Sequence, residues 1–128
     1  MLAIDSNVVV RYLVGDDVKQ AARARALIDR SDVFVTTTVL LESEWVLRSV
    51  YGFEAARLAQ ALTAFAGLPH VTLENPALAA NALQWMKAGL DFADALHLAS
   101  GEDCEAFVSF DASFVKAAKA AGARARLA

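Results

Sequence analysis

Four acidic residues occupy positions from which their carboxylates can act on one ligand: Asp5, Glu42, Asp94 and Asp111. Asp5 and Asp111 each follow directly on a short apolar run that is typical of a strand. Because the carboxyl ends of parallel strands meet at one edge of a sheet, we expect both side chains at that edge, where open α/β sheets bind ligands. Glu42 and Asp94 fall in the first turns of predicted helices, and we expect Glu42 near the same edge.

The chemistry open to such a cluster follows from its charge. Crowded carboxylates repel one another, so a cluster of them either takes up protons or binds a cation. All-oxygen ligands, without a cysteine or paired-histidine motif, favour the hard cations Mg²⁺ and Mn²⁺. One or two such ions can orient a phosphodiester, stabilise its leaving oxygen and lower the pKa of an attacking water.

Helix capping offers a simpler explanation of the same acids. Acids near helix N-termini are favoured by the helix dipole and by capping, at roughly 0.3–1 kcal/mol each. Asp91 and Asp94 have the spacing of a capping arrangement, and Asp111 has the position of an N-cap. Four polar neighbours are candidates either for hydrogen bonds to the acids or for ordinary caps and turns: Ser6, Asn7, Thr36 and Ser109.

Two further residues compete with the four acids for a role. Glu44 flanks the same apolar stripe as Glu42, so helical periodicity does not choose between them. Glu44 lies four residues before Arg48, which is the spacing of an exposed ion pair. His97 follows Asp94 by one turn, and we interpret it as a packed or hydrogen-bonded histidine rather than a metal ligand.

The helix that carries Glu42, predicted over about 39–51, has apolar side chains on two sides. These sides consist of Val39, Val46 and Val50 and of Leu41 and Trp45, respectively. A helix with two apolar sides has a second surface to bury, and we interpret that surface as a subunit interface.

Short strands alternate with helices along the whole chain. The predicted strands are 1–4, 33–36, 70–73, 106–110 and, at an edge, 123–127. This alternation predicts one domain over residues 1–128, in which helices cover both faces of a mostly parallel sheet as a three-layer α/β/α fold of about five strands. The unbroken apolar run 1–4 predicts a strand buried on both faces in the middle of that sheet.

Composition and charge restrict the class of protein. The chain has a net charge of −3 and a pI near 5.3, which argues against a protein that coats nucleic acid by a basic surface. An enzyme that handles nucleic acid through bound cations is not excluded. A single cysteine, Cys104, the lack of a signal-peptide pattern and the lack of a long apolar run predict a cytoplasmic protein without membrane contact.

Four short motifs, in this order, resemble the PIN-domain family and particularly the VapC-type toxins of bacterial toxin–antitoxin pairs. The motifs are Ile4–Asn7, Glu42–Arg48 with Tyr51 and Gly52 after it, Leu90–His97 and Val108–Phe114. The resemblance implies an acidic site of Asp5, Glu42, Asp94 and Asp111. It thereby chooses Glu42 over Glu44 and leaves Asp91 as an extra acid at the rim.

The resemblance also implies an activity and partners. It implies a sheet of strand order 3-2-1-4-5 and a homodimeric endoribonuclease that depends on Mg²⁺ or Mn²⁺. A small antitoxin protein would obstruct the acidic pocket. Asp5, Asp94 and Asp111 would be the main metal ligands, and Glu42 would complete the site or position the attacking water. In-line attack would leave a 5′-phosphate and a 3′-hydroxyl, whereas attack by the RNA's own 2′-hydroxyl would leave a cyclic phosphate.

Several basic residues are possible phosphate contacts, although surface solubility explains them equally well: Arg11, Arg48, Lys87 and Lys116.

Three functions other than that of a ribonuclease toxin also remain open. One is a catalytically silent PIN-like binding or assembly module. Another is a receiver-like phosphoacceptor domain, which needs paired acids after the first strand and a lysine after the last. A Rossmann nucleotide binder is weaker, because no Gly-x-Gly-x-x-Gly follows Ile4.

Overall fold

The computed structural model describes all 128 residues and contains seven helices and five short strands. Parallel strands alternate with helices, which confirms the predicted α/β class. In chain order the elements are β1 (Leu2–Ala3), α1 (Ser6–Val14), α2 (Val18–Arg30), β2 (Val33–Val35), α3 (Thr37–Ser49), α4 (Ala55–Ala66), β3 (Val71–Leu73), α5 (Pro76–Lys87), α6 (Phe92–Ser100), β4 (Phe107–Ser109), α7 (Ala112–Ala120) and β5 (Ala125–Leu127). The chain divides into two compact units, Met1–Pro76 and Ala77–Ala128.

A three-stranded parallel sheet of order β1-β2-β3 forms the centre of the first unit. Its middle strand is β2, where Val33 and Val35 are fully buried between the two neighbours. β1 contributes only two residues, and the side chain of Leu2 is 50% exposed. The prediction that the first strand is buried on both faces is therefore wrong. The apolar run is too short for a buried strand, because after two paired residues it leads through Ile4 to the start of α1.

Helices α1 to α4 supply the rest of the first unit's core. α1 packs against α2 and α3, and Gly15 ends it with a φ of 73°, a left-handed conformation that glycine adopts without strain. The core side chains recur every three or four residues along these helices, so that they lie on one face of each helix. They include Val9, Val10, Ala21, Ala24, Ile28, Leu58, Leu62 and Phe65.

Helix α3 buries a different face from the one predicted. Its buried residues are Leu40, Ser43, Glu44 and Leu47, whereas Val50 is 64% exposed just beyond its end. Two polar residues lie on the buried face because local bonds satisfy them: the Ser43 hydroxyl donates to the Val39 carbonyl at 2.7 Å, and Glu44 pairs with Arg48. Hydrophobic periodicity treats such polar residues as surface residues. The predicted apolar stripe of α3 therefore lies one residue before the face that is buried in the structure.

The second unit is built on a two-stranded parallel sheet, β4-β5, with α7 packed against both strands. The ring of Phe107 in β4 meets that of Phe114 in α7 edge to face, with centroids 5.7 Å apart. Ala118 and Val115 complete this buried contact face of α7.

The strand arrangement differs in detail from the predicted one. The neighbours predicted by the order 3-2-1 and by the order 4-5 are confirmed, but the strands belong to two sheets rather than to one sheet of five. Because β1 has only two residues, it offers few ladder hydrogen bonds, and its bonds go to β2. None of the seven helices has both the length and the apolarity of a membrane span.

Candidate active site

Asp5 lies where β1 passes into α1, at the carboxyl end of the strand as predicted. It is the N-cap of α1, with extended backbone at φ −83° and ψ 163°, and its carboxylate accepts a hydrogen bond from the Ser6 amide at 2.7 Å. The Asp5 carbonyl accepts the first bond of the helix from Val8 at 3.1 Å. Its side chain is exposed although the preceding Ile4 is buried, so the carboxylate is accessible to a ligand.

Ser6 connects Asp5 to Glu42. The side chain of Ser6 is buried, and its hydroxyl donates a hydrogen bond to Oε1 of Glu42 on α3. The same hydroxyl lies 3.5 Å from Oδ1 of Asp5. Two of the four predicted site residues, from the start of α1 and from α3, therefore meet at one serine. The sequence had left Ser6 open between a cap and a partner of the acids, and the structure shows it hydrogen-bonded to both carboxylates.

Glu44 has a different environment from Glu42. Its carboxylate receives the guanidinium of Arg48, with Nε 3.1 Å from Oε2, so the predicted ion pair is confirmed. The pair is not on the surface as expected, because the Glu44 side chain is only 2% exposed while Arg48 remains half-exposed. Glu44 thus lies on the buried face of α3, whereas Glu42 is exposed and accepts a hydrogen bond from Ser6.

Asp94 lies in the first turn of α6, in a surrounding of negative charge. Asp91 is the N-cap of this helix and accepts the Asp94 amide at 3.2 Å. Partial burial raises the pKa of Asp94, and the charges of Asp91 and Asp111 raise it further, while His97 lowers it. The charge of Asp111 therefore acts on the carboxyl group of Asp94.

Asp111 is the N-cap of α7. Its Oδ1 accepts hydrogen bonds from the Phe114 amide at 3.1 Å and from the Ser113 hydroxyl at 2.8 Å. These bonds, first that of the Phe114 amide, lower the pKa of Asp111 because they favour its ionised form. The amide of Asp111 donates to Ser109 Oγ at 3.0 Å, which fixes the turn between β4 and α7. The capping interpretation of Asp91 and Asp111 is confirmed, and it leaves the acids available for a second role.

The acids form two groups within the chain. Asp5 and Glu42 share Ser6 in the first unit, and Asp94 and Asp111 interact electrostatically in the second. The structure contains no group of three or more histidine, cysteine or acidic side chains that could hold a metal ion. By chemistry the four carboxylates are hard oxygen donors, which fit Mg²⁺ or Mn²⁺ and not a soft metal.

The structure narrows the predictions for two other residues. His97 was predicted to be packed or hydrogen-bonded; it is exposed, so it is not packed, because the buried face of α6 is occupied by its apolar neighbours on either side. Arg11, a candidate phosphate contact, is already engaged: its guanidinium donates to the hydroxyl of Tyr51 at 2.7 Å and to Asp16 at 3.0 Å. The Tyr51 hydroxyl in turn donates to Asp16 at 2.8 Å. Tyr51 thereby connects the end of α3 to the α1–α2 connection through hydrogen bonds. The only sign of this role in the sequence was that Tyr51 follows the motif Glu42–Arg48.

A cleft opens beside this network in the first unit. It has a volume of about 380 Å³ and lies between α1 and α2, next to the helix start that carries Asp5. Its lining combines amide, guanidinium and aliphatic groups of Asn7, Val8, Arg11, Gln20, Arg23, Ala24 and Leu27.

Comparison with protein families gives a match over most of the chain. The family model for the PIN domain matches residues 2–120, a span that includes all four acids. The chain belongs to the PIN-domain family. PIN domains are a superfamily of nucleases that typically use divalent metal ions. Membership of the PIN-domain family argues against the two alternative functions of a receiver-like phosphoacceptor domain and a Rossmann nucleotide binder. A comparison with curated proteins found no match.

Proposed function

We propose that this PIN domain is an endoribonuclease that depends on Mg²⁺ or Mn²⁺, with Asp5, Glu42, Asp94 and Asp111 acting together at the metal. The observation that carries the proposal is the match to a nuclease family across the full set of acids. It is supported by the pairing of the acids at Ser6 and by the raised pKa of Asp94, since perturbed carboxyl groups near other carboxylates are typical of catalytic sites.

Each acid has a proposed role. Asp5, Asp94 and Asp111 would be the main ligands, directly or through water, and Glu42 would complete the set or position the attacking water. A bound Mg²⁺ or Mn²⁺ would lower the pKa of an attacking water and stabilise the charge that develops on the phosphodiester. Ser6 holds Glu42 through its hydroxyl, and the backbone bonds at Asp91 and Asp111 fix the starts of α6 and α7. These contacts orient the acids before any ligand binds.

The proposed biological role is that of the toxin in a toxin–antitoxin pair, with RNA as its substrate and the cytoplasm as its location. The support is the likeness of the four motifs to VapC-type toxins. A small antitoxin protein would block the acidic site. The protein would act as a homodimer, in which the exposed Trp45 and the half-buried Leu41 of α3 supply apolar contact area. A monomer in light scattering across micromolar concentrations would contradict the dimer.

One observation favours a second candidate function. The structure contains no group of three or more histidine, cysteine or acidic side chains that could hold a metal ion, which suits a catalytically silent PIN module that binds or assembles without cutting. The presence of all four acids argues against it, because a silent module has no need of exposed carboxylates at Asp5 and Glu42.

Cleavage of RNA by the purified protein tests the proposal. We expect Mg²⁺-dependent cleavage that EDTA abolishes and that leaves 5′-phosphate ends. Asp5→Asn and Asp94→Asn should each lower the rate by roughly 100-fold or more, since loss of a metal ligand exceeds the ten- to hundredfold effect of losing an outer contact. Asp29→Asn and Asp103→Asn are matched controls, because both acids are exposed. Cleavage that persists in EDTA, or cyclic phosphate ends, would contradict the mechanism.

The toxin role has its own test in cells. Expression of the wild-type chain should arrest bacterial growth, and Asp94→Asn should relieve the arrest because the site loses a charge but little volume. The measurement is growth after induction, with the amount of each protein checked by immunoblot. Arrest that continues in the Asp94→Asn variant at equal protein level would point to another cause of toxicity.

A further inference from the structure

The most exposed large apolar side chain near the proposed site is Phe110, between β4 and the N-cap Asp111. It is 90% exposed, and the side chain of Val108 in β4 is 47% exposed. A partner that covers an exposed aromatic ring gains the free energy of its burial, and the position of Phe110 beside Asp111 makes a ligand of the proposed site a candidate for that partner.

The backbone holds this ring in a fixed place. The Asp111 amide donates to Ser109 Oγ at 3.0 Å, and the Ser109 carbonyl accepts the Ala128 amide at 3.0 Å. The carboxylate of Asp111 is bonded to the first turn of α7. Phe110 is thus presented on a constrained turn rather than on a loose loop, which reduces the entropy lost when a ligand covers it.

The charge of the C-terminal segment that contains Phe110 points to the kind of ligand. Residues 107–128 contain four basic residues and one acid, a net charge of +3 in a chain of net charge −3. Arg126 is exposed in β5, and the register places it beside Val108. An exposed ring in a segment that carries exposed basic side chains suits single-stranded nucleic acid, whose bases stack on aromatic rings while phosphates contact cations.

We propose that Phe110 is a stacking platform for an unpaired base of the RNA next to the cleaved bond, with Arg126 contacting a neighbouring phosphate. This inference rests on the proposed function, because it assumes that RNA is the substrate. It predicts a preference for single-stranded RNA, since a base inside a duplex cannot stack on a protein ring.

Binding of a fluorescein-labelled single-stranded oligonucleotide, measured by anisotropy in Mg²⁺, tests the inference. The full-length Asp94→Asn protein serves as the parent, so that the RNA is not cut. Adding Phe110→Ala should weaken binding by roughly 5- to 150-fold, the equivalent of one stacked base, whereas Phe110→Trp should retain it. Arg126→Gln should weaken binding and lower the salt dependence by about one phosphate contact.

The control is Val50→Ala, which removes exposed apolar surface from the first unit and should leave binding unchanged. Circular dichroism would check that each variant folds. Three results would each overturn the inference: no measurable binding by the parent, binding by Phe110→Ala within twofold of the parent, or equal binding of duplex RNA. A change of oligomeric state in Phe110→Ala with unchanged RNA binding would also overturn it, because the ring would then belong to a protein interface.

The inference and the proposed function fail in different ways. A wild-type protein that cuts no RNA, but whose binding still depends on Phe110, would contradict the nuclease proposal alone. A wild-type protein that cuts RNA while Phe110→Ala binds and cuts equally well would contradict the stacking platform alone.

Discussion

Asp94 and Asp111 lie in the same unit, but their surroundings shift their pKa values in opposite directions. Burial and the charges of Asp91 and Asp111 raise the pKa of Asp94, whereas hydrogen bonds from Phe114 and Ser113 lower that of Asp111. The ionised form of Asp94 therefore opposes folding, and that of Asp111 favours it. Such opposed environments allow neighbouring carboxyl groups to carry different roles.

Replacing Asp94 with Asn should raise the melting temperature at pH 7. The pKa of Asp94 is raised in the folded state, so above that pKa the folded protein carries a charge that is better tolerated in the unfolded chain. The gain should shrink as the pH falls through the raised pKa and vanish below the ordinary value of 3.8. Thermal melts from pH 3 to pH 7 followed by circular dichroism measure this, with Asp103→Asn as the control. A variant that melts lower than the wild type at pH 7 would contradict the pKa direction.

The site residues at helix starts were predictable from sequence because their chemistry is local. Asp5 and Asp111 end apolar strands and cap the next helix, and a pattern of residue types shows both facts. The contact of Ser6 with Glu42 was not predictable, because it joins residues 36 positions apart and depends on how α1 meets α3. The choice of Glu42 over Glu44 came from family likeness, not from periodicity.

Helix α3 shows the limit of hydrophobic patterning at the scale of an element. Its cap is Thr36, one of the candidate caps in the sequence, whose side chain accepts the Val39 amide at 3.2 Å. The buried face includes Ser43 and Glu44, each satisfied within the same helix. Polarity alone cannot reveal that a polar residue is buried with its partner, so the stripe was misplaced although the helix itself was predicted.

Arg48→Met should destabilise the protein by roughly 1–3 kcal/mol. The change leaves the buried carboxylate of Glu44 without its guanidinium partner while keeping the aliphatic length of the side chain. The measurement is urea unfolding at pH 7, with Arg30→Met, at an exposed arginine of α2, as the control. The effect should shrink in the Glu44→Gln background, since no charge is then left unpaired. A full effect in that background would show that packing, not charge, is responsible.

At the scale of the whole molecule, the chain distributes its acids over two units. Asp5 and Glu42 belong to residues 1–76 and Asp94 and Asp111 to residues 77–128, and the family match runs across both. The sequence pattern predicted five strands, because alternation and turn residues are local signals, whereas the neighbours within each sheet came from the family resemblance. It did not predict how the strands divide between sheets, since that depends on ladder bonds between distant residues. That residues 1–128 form a single domain stays a prediction.

Binding of Mn²⁺ by the wild-type chain and its variants tests directly whether the proposed acids hold a metal ion, because it does not depend on knowing the RNA target. The signal of free Mn²⁺ in electron paramagnetic resonance reports binding during a titration at neutral pH. We expect saturable binding by the wild type and by Asp29→Asn and Asp103→Asn. We expect binding at least about tenfold weaker in both Asp5→Asn and Asp94→Asn, because both acids are proposed ligands of the ion. A wild type without saturable binding, or either site variant binding as the wild type does, would contradict the proposed metal site.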